Sequence, residues 1–328
     1  MKRTSTLLLC IACSAGLTSC GTTDQPAFIS TTVTPTTSSQ DSTNSSQQDS
    51  TTSTQNDLSN ALTGIQYSNL VDQDSQAEIH TLFAAAGIPD ADIRNFIAQV
   101  DDFNQHVPHD SLVQAGFVPY TPGEVHYDSA GIIQSWLNTY PTYPGTNCRI
   151  TTFTLLKSLL NFDTKHRLAD PSLLFIDDDA ITQKQPPLFP ADEHELFHRL
   201  FSKVPTTKAL ETGTHVADIA EFFQAQGIRF TNPNVHMITV FMHDTLEDPA
   251  ALFVGHAGVA VPDGNGWLFV EKLAFDQPYQ ALKFASLEQI GTYLSATYDE
   301  GAGVDYGRSV IFDNNQLIAG YNINEKTA

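Results

Sequence analysis

Apolar side chains recur at spacings of three and four over residues 75–86 and again over 89–104, with Gly87 and Pro89 between the runs. That period predicts two helices, each burying one face. Segments 147–160, 191–203 and 215–226 repeat the helical spacing. Beyond residue 230 the period shortens. Segments 235–242, 252–261, 267–275, 309–313 and 316–321 are β-branched or alternating, and turn residues separate them, so they predict strands. One late helix, 286–297, opens with Ser286 and Gln289 at the spacing of a capping box. No stretch repeats another. Helices followed by strands joined through short turns predict an α+β fold, a helical N-terminal half packed on an antiparallel sheet.

Upstream of residue 61 the pattern disappears. Residues 21–60 are dominated by Ser, Thr, Gln and Asn, with Phe28 as the one aromatic side chain. Such a segment cannot bury enough apolar surface to offset the entropy of ordering it, so it reads as a disordered tether. About forty flexible residues span about 35 Å on average and about 130 Å when stretched, enough to hold a domain clear of a membrane. Residues 1–19 read as an export signal: Lys2 and Arg3 precede an apolar run from Leu7 to Cys13. That run falls short of the roughly 20 apolar residues a membrane-spanning helix needs. Leu17-Thr18-Ser19-Cys20 resembles the bacterial lipobox, which makes Cys20 the expected lipidation site and mature N-terminus. The expected protein is therefore extracytoplasmic, lipid-anchored to the bacterial cell membrane through Cys20. A tether over 20–60 leads to a single domain over 61–328.

Composition then narrows the function. The formal charge is −21, and losing Lys2 and Arg3 with the signal makes the mature chain more acidic still. A surface that negative repels phosphate backbones, so nucleic acid is excluded as a partner. With 41% hydrophobic residues the chain has ample material for a core. Its four cysteines part company on processing: Cys10 and Cys13 leave with the signal, Cys20 is acylated, and Cys148 stays as the one free thiol. An unpaired thiol outside the cytoplasm is either buried and inert or chemically employed.

The run Tyr143-Pro144-Gly145-Thr146-Asn147-Cys148-Arg149 passes from turn residues into a helix. Thr146 or Asn147 can cap it, which puts Cys148 in the first turn, where unpaired backbone N–H groups favour a thiolate and can hold an oxyanion. Asn147 and Arg149 are candidates for oxyanion or local support. Cys148 shares a helix face with Thr152, Leu155 and Leu159, so it points toward the sheet. The bland reading is a small core hydrophobe. A partner search among the eleven histidines favours His256, in Gly255-His256-Ala257-Gly258-Val259. Two strands flank the turn around Asp263-Gly264. If those two residues form the loop, His256 stands directly opposite Glu271, with Cβ atoms about 5 Å apart. If the loop is Gly264-Asn265, Glu271 becomes the diagonal neighbour on the same face. A carboxylate there orients an imidazole and fixes its tautomer, so Cys148, His256 and Glu271 make a candidate nucleophile, base and orienter.

A cysteine opening a helix, a strand with Gly-His-Ala-Gly-Val, and a following strand with a polar third member resemble the papain-like superfamily. The style is nearest to NlpC-type cell-wall peptidases and transglutaminase-like domains. Asn147-Cys148-Arg149-Ile150-Thr151, Leu252-Phe253-Val254-Gly255-His256, Val270-Glu271-Lys272 and Gln277-Pro278-Tyr279-Gln280-Ala281 also resemble an uncharacterised bacterial lipoprotein family. That family is classed as a domain of unknown function and carries an Asn-Cys-Arg signature. The papain-like resemblance implies a cysteine hydrolase or acyltransferase acting on amide bonds without a cofactor, with cell-envelope peptides as the candidate substrate.

Other constellations compete. His194-Glu195-Leu196-Phe197-His198 matches the zincin motif, with Glu221 as a candidate third ligand, and this is the metalloprotease alternative. Read as a helix, the same residues carry an apolar stripe of Leu196, Phe197, Leu200 and Phe201 with the histidines at its edge. That reading is preferred, and no metal is expected. Asp177-Asp178-Asp179 reads as a solvated loop or helix cap rather than a calcium site. His243-Asp244 offers a second histidine. The leading expectation is the cysteine hydrolase, and the alternative from another class is a non-catalytic envelope lipoprotein serving as a binding or scaffold domain.

Overall fold

A computed structural model describes residues 60–163, 169–244, 248–299 and 306–323. The expected signal peptide, the lipidation site Cys20 and the tether fall outside these residues. No helix among them is long and apolar enough to cross a membrane.

In chain order the first half contains β1 (Gln66–Ser68), α1 (Gln73–Ala86), α2 (Asp90–His106), β2 (Val118–Pro119), α3 (Ser129–Thr139) and α4 (Cys148–Leu156). There follow β3 (Leu160–Phe162), α5 (Phe175–Gln183), α6 (Ala191–Phe201), β4 (Val204–Pro205), α7 (Thr212–Gln226) and β5 (Ile228–Phe230). The sheet-forming part is β6 (His236–Asp244), β7 (Ala251–Asp263), β8 (Gly266–Lys272) and β9 (Tyr279–Phe284), then α8 (Leu287–Tyr298), β10 (Val310–Asp313) and β11 (Gln316–Leu317).

Among the described residues this is an α+β fold with eight α-helices. A nine-stranded antiparallel sheet runs in the order β11-β10-β6-β7-β8-β9-β1-β2, with β4 paired to the start of β7, and β3 and β5 form a separate ribbon. The helical half is not purely helical. β1 pairs with β9, so the first described strand joins the C-terminal sheet. Strands of two or three residues show no periodicity, which hides them in the sequence. β9 also lies outside the expected strands, because Gln280, Ala281 and Lys283 have weak strand preference and its burial is nearly continuous.

Both faces of the sheet are covered. Leu268 and Val270 of β8 and Val259 and Val261 of β7 face the large cluster that contains Phe96, Phe153 and Phe197 from the helices. Phe269, Ala260 and Leu282 face the other way, onto Ile290, Tyr293 and Leu294 of α8. Gly87 and Gly227 end α1 and α7 in the left-handed conformation, which glycine adopts without strain. Ser286 caps α8 by accepting from the Gln289 N–H, while the Gln289 side chain reaches the N–H of Ala285, one residue before the cap.

Two irregularities shape the surroundings of His256. Beside β7, β4 covers residues 251–252 and β8 covers 258–263, so on that edge the stretch between them has no strand partner among the described residues. Helix α4 packs on β7 and β8. Opposite β6, Val240 pairs with His256 and Phe241 with Val254, leaving Gly255 as a bulge. A Cβ at Gly255 would lie 2.2 Å from Met242 Sδ. Bulges re-aim neighbouring side chains, and this one immediately precedes His256.

Candidate active site

Asn147 caps α4, its Oδ1 accepting from the Ile150 N–H at 3.0 Å, so Cys148 begins the helix as the sequence implies. The N–H groups of Cys148 and Arg149 stand in the first turn, where a helix has no internal acceptor for them. Cys148 is 5% exposed and hydrogen-bonded to the His256 ring. His256 Nε2 lies 2.5 Å from Glu271 Oε2, which leaves Nδ1 to the thiol. The structure therefore brings Cys148, His256 and Glu271 together in the expected order.

The hairpin register settles how. Asp263 pairs with Gly266 and Gly258 with Glu271, so the loop is Gly264-Asn265 and Glu271 is diagonal to His256 rather than directly opposite. Gly264 takes φ +59, the left-handed conformation that a tight turn requires there. Gly258 then lies across from Glu271, and its missing side chain matters. A Cβ there would sit 2.5 Å from the Phe269 ring and 2.7 Å from Val270 O.

Glu271 is fully buried and its second oxygen is also held. Oε1 accepts from Tyr293 OH at 2.7 Å and from Gln280 Nε2 at 3.3 Å. Gln280 Oε1 in turn accepts from Tyr127 OH, and Tyr127 from Asn69 Nδ2. Burial first, then the Glu271 charge, hold the phenols of Tyr293 and Tyr298 well above their ordinary value, so both remain protonated. Tyr298 stacks on the His256 ring, with centroids 4.5 Å apart and planes 18° apart.

These surroundings set the charge of the thiol. Burial is the largest influence and pushes Cys148 up, but the hydrogen bond and charge of His256, with the Arg149 cation, outweigh it and hold the thiol below its ordinary value. Burial pulls His256 down, yet its bonds to Cys148 and Glu271 and their charges raise it to about 9. Both shifts favour a thiolate–imidazolium pair.

Asn147 and Arg149 both bond to a residue that nothing in the sequence connects to them. Asp177, fully buried on α5, accepts from Asn147 Nδ2 at 2.8 Å, from Arg149 Nε at 3.0 Å and from Arg149 Nη2 at 2.6 Å. Arg149 Nη1 donates to Val254 O at 2.8 Å, on the stretch of β7 between β4 and β8. Of the two suggested roles, local support is the one these bonds describe. The oxyanion donors left are backbone N–H groups. The Asp177-Asp178-Asp179 run is neither a solvated loop nor the cap itself: it lies within α5, with Asp177 and Asp178 in the first turn, and Asp177 anchors the helix that carries Cys148.

The competing residues sit elsewhere. His194 and His198 both approach Asp178, and Glu221 is not part of that group. His243 meets His215 and Tyr306, and burial, then His215, lower it to about 4. Tyr298 and Tyr293 escape sequence reading, and Gln280 and Asp177 appear there only inside longer runs, because each reaches the site from a distant element.

The DUF4300 family, described as a domain of unknown function, matches residues 66–318. No curated protein and no solved structure matches the chain.

Proposed function

We propose that this chain, which belongs to the DUF4300 family, is a surface-anchored cysteine hydrolase or acyltransferase acting on amide bonds, with peptides of the cell envelope as its substrate class. One observation carries this reading. Burial alone raises a thiol, yet Cys148 is lowered because a carboxylate-oriented histidine is bonded to it. An inert core cysteine lacks both partners. The order of the three residues, on a helix N-terminus and two adjacent strands, supports a papain-like organisation. The lipobox before Cys20 supports a membrane anchor and a location outside the cytoplasm.

In this mechanism the Cys148 thiolate attacks the amide carbonyl carbon, and the carbonyl oxygen takes up the electron pair, held by the Cys148 N–H. Collapse breaks the C–N bond as His256 Nδ1 passes its proton to the leaving amine. A thioester remains. Neutral His256 then takes a proton from water, or from a second amine in acyl transfer, and the attack on the thioester returns Cys148 as a thiolate beside an imidazolium. Glu271 holds Nε2 throughout, and Arg149 with Asp177 fixes the helix that carries the nucleophile.

A second reading, a non-catalytic binding or scaffold domain, is favoured by the burial of the site. Cys148 is 5% exposed, His256 is 1% exposed, and Tyr298 lies against the imidazole. The two readings separate on incubation of the purified protein with isolated cell-envelope peptides, followed by mass spectrometry. The hydrolase releases new amines and leaves an acyl group trapped on Cys148 at low pH, and Cys148→Ala does neither. No turnover and no acylation with any envelope fraction leaves the scaffold reading standing.

A further inference from the structure

The structure assigns Asp178, His194 and His198 as a binding site for one divalent transition ion of the zinc class, separate from the Cys148 centre. His194 and His198 are four residues apart on α6, so their rings project from one face, with centroids 4.5 Å apart. Asp178 comes from the first turn of α5. Its Oδ1 lies 2.7 Å from His194 Nε2 and 2.6 Å from His198 Nε2. The three ligand atoms all lie within 4.8 Å of one another, so small side-chain rotations bring them to the radius of about 2.0–2.2 Å that zinc requires.

Chemistry favours the same class. Two imidazole nitrogens and one carboxylate oxygen suit zinc, copper or nickel, whereas calcium and magnesium demand oxygen ligands. Both rings present Nε2 to one shared oxygen, and in the metal-bound form each Nε2 lone pair goes to the ion while Nδ1 carries the ring proton. All three side chains are partly exposed, at 35%, 19% and 26%, so an ion can enter and water can fill the fourth position. The ligand set differs from the zincin arrangement in the sequence: the third ligand is Asp178 on a second helix, and it is not Glu221. An ion there ties α5 to α6. Because Asp178 adjoins Asp177, it also braces the carboxylate that holds Asn147 and Arg149 beside Cys148.

The test is zinc titration of the untagged, metal-stripped full chain by calorimetry, with cobalt absorption and thermal unfolding as independent readouts. One equivalent is expected to bind, to give a cobalt spectrum of nitrogen and oxygen ligation without thiolate charge transfer, and to raise Tm. Asp178→Asn, His194→Gln and His198→Gln, each confirmed folded by circular dichroism, weaken binding by about tenfold or more. Cys148→Ala leaves binding intact, and calcium and magnesium produce no signal. The assignment is overturned if the folded wild type shows no saturable zinc binding. It is equally overturned if His194→Gln combined with His198→Gln binds as the wild type does, or if Cys148→Ala abolishes binding.

Discussion

Replacing Arg149 by methionine removes the cation that faces Asp177, a carboxylate with no solvent exposure, and leaves it the Asn147 amide as a side-chain donor. Breaking a buried pair by deleting one member costs about 3–5 kcal/mol, because the surviving charge is stranded. Val254 O also loses its donor, adding about 1 kcal/mol. In a domain of this size the sum corresponds to a fall in Tm of roughly 7–12 °C. Urea denaturation followed by tryptophan fluorescence measures it. Asp177→Asn removes the stranded charge while keeping a hydrogen-bond acceptor. The double variant Arg149→Met with Asp177→Asn is therefore expected to lose at least about 1 kcal/mol less than the two single variants together. A cost below about 1 kcal/mol for Arg149→Met, or strict additivity, would refute the view that this pair anchors the helix that carries Cys148.

Glu271→Gln keeps the shape but removes the charge that helps hold His256 at about 9, so the pH midpoint of Cys148 alkylation moves upward and the rate below it falls. An unmoved midpoint, read from iodoacetamide rates across a pH series, contradicts the role of Glu271 as orienter. Tyr298→Ala removes the ring stacked on His256 at a stability cost of about 2–4 kcal/mol, from lost burial as well as stacking, and is expected to accelerate Cys148 alkylation at fixed pH. An unchanged rate would show that Tyr298 does not guard the approach. Gly258→Ala drives a methyl into the Phe269 ring and the Val270 carbonyl, which costs about 1–3 kcal/mol in denaturant midpoint. Tolerance of that change would argue against the close β7–β8 approach opposite Glu271.

The grouping of Cys148, His256 and Glu271 is legible in the sequence because two of these residues sit on a hairpin and the third opens a helix. Strand alternation puts His256 and Glu271 on one face whichever loop is chosen, and only the exact partner depends on the turn. Cys148 is marked by the Gly145-Thr146-Asn147 approach to a helix start, and Asn147 is the observed cap. What the sequence hides is everything that meets these residues over long separations. Asp177 looks like one of three equivalent acids, and its bonds to Asn147 and Arg149 on α4, made across about thirty residues of chain, are invisible in the sequence. Tyr293 and Gln280 read as ordinary members of an amphipathic helix and an unrecognised strand. Neither residue advertises a bond to Glu271. The HExxH match does form a helix, but the side chain that meets its histidines is Asp178 rather than Glu221.

The most direct test of the central claim is the rate at which native Cys148 is alkylated by iodoacetamide near neutral pH, in the wild type and in His256→Ala. A histidine-activated thiolate reacts faster than an ordinary thiol at that pH and loses the advantage when His256 is removed. A Cys148 that stays unreactive until the protein is denatured, with a rate indifferent to His256, would contradict it.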